Sequence, residues 1–192
     1  MTSAGNKPLI VGLGGTPRAG SSTERALALA LAHAEQAGAT TQMFDGRFLA
    51  RLPHFHPAGE PPTAEQSEFA SAVSRADGLI VASPGYHGSI SGLVKNGLDT
   101  LELLRTDERP YLHGRAVGVI VTAEGAQATG ATLVTLRSII HAMRGWPTPF
   151  GAALNAANLF DADGACREPR DAWQLATVAE QVVEFARMRA NL

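Results

Sequence analysis

Between Ser83 and Asp99 the chain reads Ser-Pro-Gly-Tyr-His-Gly-Ser-Ile-Ser-Gly-Leu-Val-Lys-Asn-Gly-Leu-Asp. The chemistry of this stretch belongs to its backbone. Pro84 fixes its own φ and holds Ser83 extended, while Gly85 and Gly88 permit angles or close approaches that a Cβ would block. The apolar run just before it, Gly78 to Ala82, reads as a buried strand, and a helix is expected to begin near Ser89 to Ser91. A polar, glycine-rich turn is thereby aimed out of the carboxyl end of a strand, where open α/β sheets bind ligands. Such a turn offers N–H and C=O groups to a flat heterocycle rather than a charged catalytic group.

A second loop runs Gly14-Gly15-Thr16-Pro17-Arg18-Ala19-Gly20-Ser21-Ser22-Thr23-Glu24, between a strand and a helix. A helix that starts there points free N–H groups and its positive end at an anion. Thr16, Ser21, Ser22 and Thr23 add hydroxyls, and Arg18 adds a fixed positive charge with several donors. Each charge-assisted hydrogen bond contributes about 1.5–3 kcal/mol. Gly15 and Gly20 have the G-x-x-x-x-G spacing of a nucleoside triphosphate loop, but Ser21 stands where its lysine is required. A dinucleotide fingerprint needs G-x-G-x-x-G; Gly12 and Gly14 are followed by Pro17 instead, although Asp45 suits the ribose-binding acid. A monophosphate held by hydroxyls and one arginine fits the remaining features. The alternative is a well-capped helix that holds no ligand.

These loops need a scaffold, and the pattern around them alternates strand and helix. Pro8 to Leu13, Thr40 to Phe44, Gly78 to Ala82, Ala116 to Thr122 and Thr148 to Ala153 read as five strands. Ser22 to Gln36, Thr63 to Ala76 (with a capping box between Thr63 and Gln66), the stretch up to about Arg105, Leu133 to Arg144 and Ala172 to Arg189 read as helices. Gly125 to Gly130 is expected to be a polar loop. This order predicts a parallel sheet with both faces covered, in a single domain spanning 1–192. Asp45 to Pro62 is long for an ordered loop and is expected to cover a site or contact a partner subunit. Within it, His54 and His56 have only Glu60 as a nearby further ligand and read as loop surface, not a metal site.

Composition narrows the function classes. In 192 residues, 45% are hydrophobic, 18% are charged and the net charge is −2. That balance gives no attraction to nucleic acid or an anionic membrane. Lys7 and Lys95 are the only lysines, and Cys166 is the only cysteine, so neither an internal disulfide nor a cysteine metal cage is available. The run Leu9 to Leu13 is too short for a signal peptide, no stretch approaches a membrane span, and the cytoplasm is the expected compartment. Lys95 and Asp99 read as a structural i,i+4 pair.

Taken together, Gly15-Thr16-x-Arg18-x-x-Ser21-x-Thr23 and Pro84-x-Tyr86-His87-Gly88-Ser89-x-x-Gly92-x-x-Lys95-Asn96-x-Leu98-Asp99 resemble the two signatures of the NAD(P)H-dependent FMN reductase family of flavodoxin-like proteins. The resemblance runs from roughly Leu9 to Phe150. It implies a three-layer α/β sandwich with a five-stranded parallel sheet in the order 2-1-3-4-5. It also implies FMN as cofactor, NADPH or NADH as reductant, and hydride transfer between them with no triad or metal. Thr16, Arg18, Ser21 and Thr23, with Ser22 beside them, would hold the phosphate. Pro84, Gly85, Tyr86, His87, Gly88 and Ser89 would line the isoalloxazine ring, and Thr122, Ala123, Glu124 and Gly125 would close the pyrimidine end. Thr23 and His87 each replace a usual Asn, and Glu124 replaces a usual Gly; its carboxylate is expected to point away from the ring.

The resemblance leaves three readings open. One is a reductase that supplies reduced FMN to a flavin-dependent monooxygenase. Another keeps FMN bound and reduces a small-molecule acceptor such as a quinone, azo dye or metal oxyanion. The third is an electron-carrying flavodoxin, a class that is usually strongly acidic. A homodimer or homotetramer is implied by the family alone.

Overall fold

A computed structural model describes residues 7–57 and 61–191. The sheet holds β1 (Leu9–Gly14), β2 (Thr40–Phe44), β3 (Gly78–Tyr86), β4 (Ser89–Ile90), β5 (Ala116–Ala123), β6 (Trp146–Pro147) and β7 (Ala152–Asn155). Its spine is β2-β1-β3-β5, all parallel, with β6 and β7 both lying along the outer side of β5 and β4 folding back on β3. The expected order therefore holds, but the sheet has seven strands rather than five.

The fifth position is split for a chemical reason. Of the expected strand Thr148 to Ala153 only Ala152 and Ala153 are strand, in β7; the break from β6 falls where Pro149 has no N–H to give and the N–H of Phe150 goes to Gln181 Oε1 at 3.0 Å. Gln174 Oε1 takes the N–H of Ala153 at 3.3 Å in the same way. The last helix thus supplies side-chain acceptors along an edge whose prolines blunt pairing with another strand.

The helices are α1 (Ser22–Gln36), α2 (Gly46–Leu49), α3 (Ala64–Arg75), α4 (Gly92–Thr100), α5 (Ala126–Ala142) and α6 (Pro169–Ala190). α1 and α6 cover one face of the sheet, burying Leu27, Leu31, Val178 and Val182 against Ile10, Ile80 and Ile120. α3, α4 and α5 cover the other, burying Phe69, Val94, Leu98 and Leu136 against Val11, Val81 and Val119. Alternate residues of each strand therefore serve opposite cores. Phe44 meets Phe48 and Phe69 edge-on, at 4.7 and 5.0 Å between ring centroids. Such pairs add about 0.5–1.5 kcal/mol beyond their area.

Local signals explain most boundaries. Thr63 and Gln66 form the reciprocal capping box of α3, and Ser21, Asp45 and Ser91 cap α1, α2 and α4. Two expectations are corrected. Gly125 to Gly130 is not a loop: from Ala126 onward it forms the first turns of α5, rich in helix-forming alanine and packed near the end of β3, where Thr132 Oγ1 donates to the Ser89 carbonyl at 3.5 Å. The 45–62 segment is not irregular throughout, since it contains α2 and is then tied down by Asn96, which accepts from Phe55 N at 2.8 Å and donates to Pro53 O at 3.1 Å.

One buried cation had no place in the pattern reading. Arg115, immediately before β5, is 0% exposed. Its guanidinium donates to Ala76 O at 2.9 Å, Tyr111 O at 3.0 Å and Ser74 O at 2.6 Å. Two of those carbonyls end α3, where a cation suits the helix dipole. Burial, followed by repulsion from Arg109, pushes this group down to about 10, so it remains charged at neutral pH.

Candidate functional site

β1 crosses over to β2 on one side of the sheet, while β3 crosses to β5 on the other, so the switch point lies between β1 and β3. β1 pairs with β3 only as far as Gly14↔Ala82, whereas β3 continues along β5 through Pro84↔Thr122. Beyond Ala82 the β1 side of β3 has no strand, and Pro84 is tolerated there because no ladder bond is lost. At Gly14, with φ 145°, an added Cβ would stand 2.0 Å from the Ala82 carbonyl oxygen, so only glycine lets the chain leave the sheet at this point.

A cleft of about 530 Å³ opens in that gap. It is lined by Thr16, Arg18, Ser21, Ser22 and Thr23 from the first loop, by Pro84, Gly85, Tyr86, His87 and Gly88 from the second, and by Thr122, Ala123 and Glu124 from the third. Ser89 and Gly125 are not among the lining residues. Ala128 and Ala156 are, and the sequence reading did not name them. Ala156 follows the end of β7, a carboxyl strand end that pattern can find; Ala128 was hidden by the mistaken loop.

The hydroxyls of the first loop are already engaged. Thr16 Oγ1 donates to Arg18 O at 3.2 Å, and Ser22 Oγ donates to Ala156 O at 3.2 Å. Thr23 Oγ1 and Thr122 Oγ1 share a buried hydrogen bond of 2.6 Å that ties the first and third loops together. Ser21 Oγ accepts from Glu24 N at 3.3 Å, which leaves its own proton free. The first-turn amides of Ser22 and Thr23 have no acceptor among the described residues, and Arg18 is exposed with no ion pair among them. The free donors of this loop are therefore those amides, Ser21 and Arg18, not four equivalent hydroxyls. Asp45 does not serve as a ribose acid: it caps α2 through Phe48 N at 2.8 Å and pairs with Arg47 at 2.9 Å.

The second loop is a two-residue hairpin. β3 and β4 pair through Gly85↔Ile90 and Tyr86↔Ser89, leaving His87 at φ 51° and Gly88 at φ 83°. Positive φ at both central residues is the signature of a type I′ turn, for which Asn-Gly is the preferred pair. A histidine in this conformation costs about 1 kcal/mol. His87→Asn is expected to recover most of that and raise the unfolding midpoint by about 2–4 °C, as measured by calorimetry; an unchanged or lower midpoint would show that the turn carries no strain.

The third loop is only Glu124 and Gly125. Gly125, at φ 103°, caps α5 without a side-chain hydrogen bond. Glu124 is exposed and belongs to the lining, so the structure does not turn it away from the cleft. No lining residue comes from 45–57, and His54 and His56 are exposed, with Glu60 outside the described residues. Lys95 and Asp99 form an exposed 2.6 Å pair on α4. Burial raises the Cys166 thiol, which disfavours a reactive thiolate.

Residues 8–158 match the family described as NADPH-dependent FMN reductase. The chain belongs to that family. Within it, the chain is 30% identical over 121 residues to an FMN-dependent NADPH-azoreductase of Staphylococcus haemolyticus, a match covering 62% of this chain and 61% of that protein. It is 27% identical over 161 residues to an NAD(P)H-dependent FMN reductase of Pseudomonas aeruginosa, covering 81% and 82%. The fold is shared with FerB, a flavoenzyme NAD(P)H:(acceptor) oxidoreductase of Paracoccus denitrificans, at 18% identity and a TM-score of 0.76 over 95% of this chain and 98% of that one. The FMN reductase family match spans all three loops of the cleft, since it begins before Gly14 and ends after Ala156.

Proposed function

We propose that this chain binds FMN non-covalently in the cleft and reduces it with NADPH or NADH. The observation that carries this reading is the division of labour within one cleft. Free amides, a free hydroxyl proton and Arg18 gather at one end. At the other, Pro84 to Gly88 and the third-loop residues Thr122, Ala123 and Glu124 complete the lining. The residues suit a phosphate ester joined to a planar heterocycle. Gly88, at the tip of the second loop, has open space where a Cβ would stand, so its backbone is uncovered at the cleft.

In this reading Arg18, Ser21 and the amides of Ser22 and Thr23 hold the phosphate. The Thr23–Thr122 hydrogen bond fixes the distance between the phosphate loop and the ring-binding loops. Pro84 to Gly88 and Thr122 to Glu124 orient the ring and leave one side open to the reductant and then to an acceptor. Bound FMN supplies the hydride chemistry, and the protein supplies position and electrostatics. The same reading makes the protein a single-domain, cytoplasmic homodimer or homotetramer; the oligomer is carried by family resemblance alone and is tested by light scattering.

Calorimetry of purified apoprotein should give a stoichiometric heat with FMN, and anaerobic mixing of the loaded protein with NADPH or NADH should bleach the flavin absorbance. No heat, or no bleaching by either nucleotide, would sink the proposal. A second form of the activity, with FMN retained as a prosthetic group that passes electrons to azo dyes or quinones, is favoured by the named activity of the staphylococcal relative. Protein that stays yellow through dialysis and reduces such dyes supports this form; colour lost to the dialysate supports release of reduced FMN, with a flavin-dependent monooxygenase as the consuming partner.

A further inference from the structure

The strained residue of the cleft is also its second basic side chain. Arg18 and His87 are the only basic side chains in the lining, and Glu124 is the only acidic one. Arg18 stands on the loop that offers the free amides of α1, at the phosphate end. His87 stands on the opposite rim, at the tip of the β3–β4 hairpin. The imidazole is exposed and makes no hydrogen bond to any described residue, so nothing within the fold explains its presence. Its backbone, by contrast, is fixed between the two hairpin pairs at a φ that glycine or asparagine would hold at lower cost. A strained side chain kept on the rim of a cleft, with no intramolecular role, points to a ligand contact.

We infer that His87 contacts the diphosphate of the nicotinamide dinucleotide. This rests on the FMN reading above, in which Arg18 is committed to the flavin phosphate. The reductant carries its own diphosphate into the same cleft, where Glu124 opposes it electrostatically. Of the remaining lining side chains near the hairpin, Tyr86 and His87 have hydrogen-bond donors, and only His87 can also carry positive charge. An imidazole fixed on the rim can reach an anion at the mouth of the cleft without touching the reacting atoms, so His87 is a specificity-determining residue and not a catalytic one.

The test uses His87→Gly, which keeps the turn and removes the side chain, together with His87→Asn and His87→Lys. The FMN dissociation constant is measured first for each by fluorescence quenching, so that loss of flavin is told apart from loss of reductant. Binding of NADP+ and NAD+ to the FMN-loaded proteins is then followed by calorimetry. Finally, kcat/KM for NADPH and NADH is compared with that for N-benzyl-1,4-dihydronicotinamide, a neutral hydride donor with no diphosphate.

The glycine variant is expected to bind the oxidised dinucleotides about 5–10-fold more weakly, and the ratio of dinucleotide to benzyl-nicotinamide kcat/KM should fall by the same factor. Lysine should restore that ratio to within about 2-fold. Three results overturn the assignment: dinucleotide binding unchanged in His87→Gly, equal loss with the charged and neutral reductants, or a loss of FMN affinity as large as the loss of dinucleotide affinity. A parent protein that fails to bind FMN at the first step overturns the FMN reading itself.

Discussion

Arg18→Ala will weaken FMN by about 10–50-fold and leave riboflavin within about 2-fold of the parent. The two ligands differ only by the phosphate, so their ratio isolates the anion-binding end of the cleft. A charge-assisted hydrogen bond is worth about 1.5–3 kcal/mol, which converts to roughly 10–150-fold. Arg18 is exposed, and screening by solvent places the effect in the lower part of that range. Thr16 and Ser22 already donate to backbone carbonyls, so they do not compensate for the lost arginine. Two controls sharpen the result. Ser22→Ala should cost FMN little, because its proton is spent on Ala156 O. Raising the salt concentration should weaken FMN binding in the parent more than in Arg18→Ala. Isothermal calorimetry with both ligands checks all of this; equal loss of FMN and riboflavin would refute the phosphate assignment.

Arg115→Met will destabilise the fold by about 2–3 kcal/mol without changing the intrinsic affinity of the cleft for FMN. Methionine replaces much of the apolar stem but none of the donors. Tyr111 O would then lose its guanidinium donor, and Ser74 O and Ala76 O would keep only Arg109 Nη2, which donates to them at 2.8 and 3.1 Å. Leaving a buried acceptor unpaired costs about 1–3 kcal/mol each, and partial entry of water limits the sum. Arg115→Lys should lose less, because a single ammonium keeps the charge but cannot span three acceptors in a fixed fork. Urea unfolding reads the loss as a fall in the midpoint at unchanged slope. Arg115 lies just before Ala116 at the start of β5, whereas the cleft lies at its end, Thr122 to Ala123, so folding and ligand affinity should separate. A loss below about 1 kcal/mol would mean that the guanidinium is not needed to hold α3 to the sheet.

These two residues also mark the limit of reading the chain as a string. Arg18 was legible because its neighbours are loop-forming glycines and hydroxyls directly ahead of a periodic helix, a signal contained in eleven consecutive residues. Arg115 was not, because its partners are backbone carbonyls at positions 74, 76 and 111, which any sequence would carry. The same distinction holds for the hydroxyls. Their types and spacing predicted donors to an anion. Only the folded chain sends Thr23 to Thr122 and Ser22 to Ala156, across separations that no local pattern encodes.

What the amino-acid order determined was local: strand and helix periods, the capping box at Thr63, the switch of pattern at the first and second loops, and two long signatures that carry the family. Helix caps and burial stripes depend on neighbours three or four residues apart, so they survive in the string. What the tertiary structure decided was everything that depends on which strands end first. β1 stops opposite Ala82 while β3 runs on to Tyr86, and that mismatch opens the cleft. The last strand breaks at Pro149 and Phe150, where α6 supplies Gln181 as an alternative acceptor. His87 became a strained residue in the cleft lining only when Tyr86 and Ser89 paired around it. Those outcomes come from hydrogen bonds between residues far apart in the chain, whose strength depends on geometry that no single segment holds.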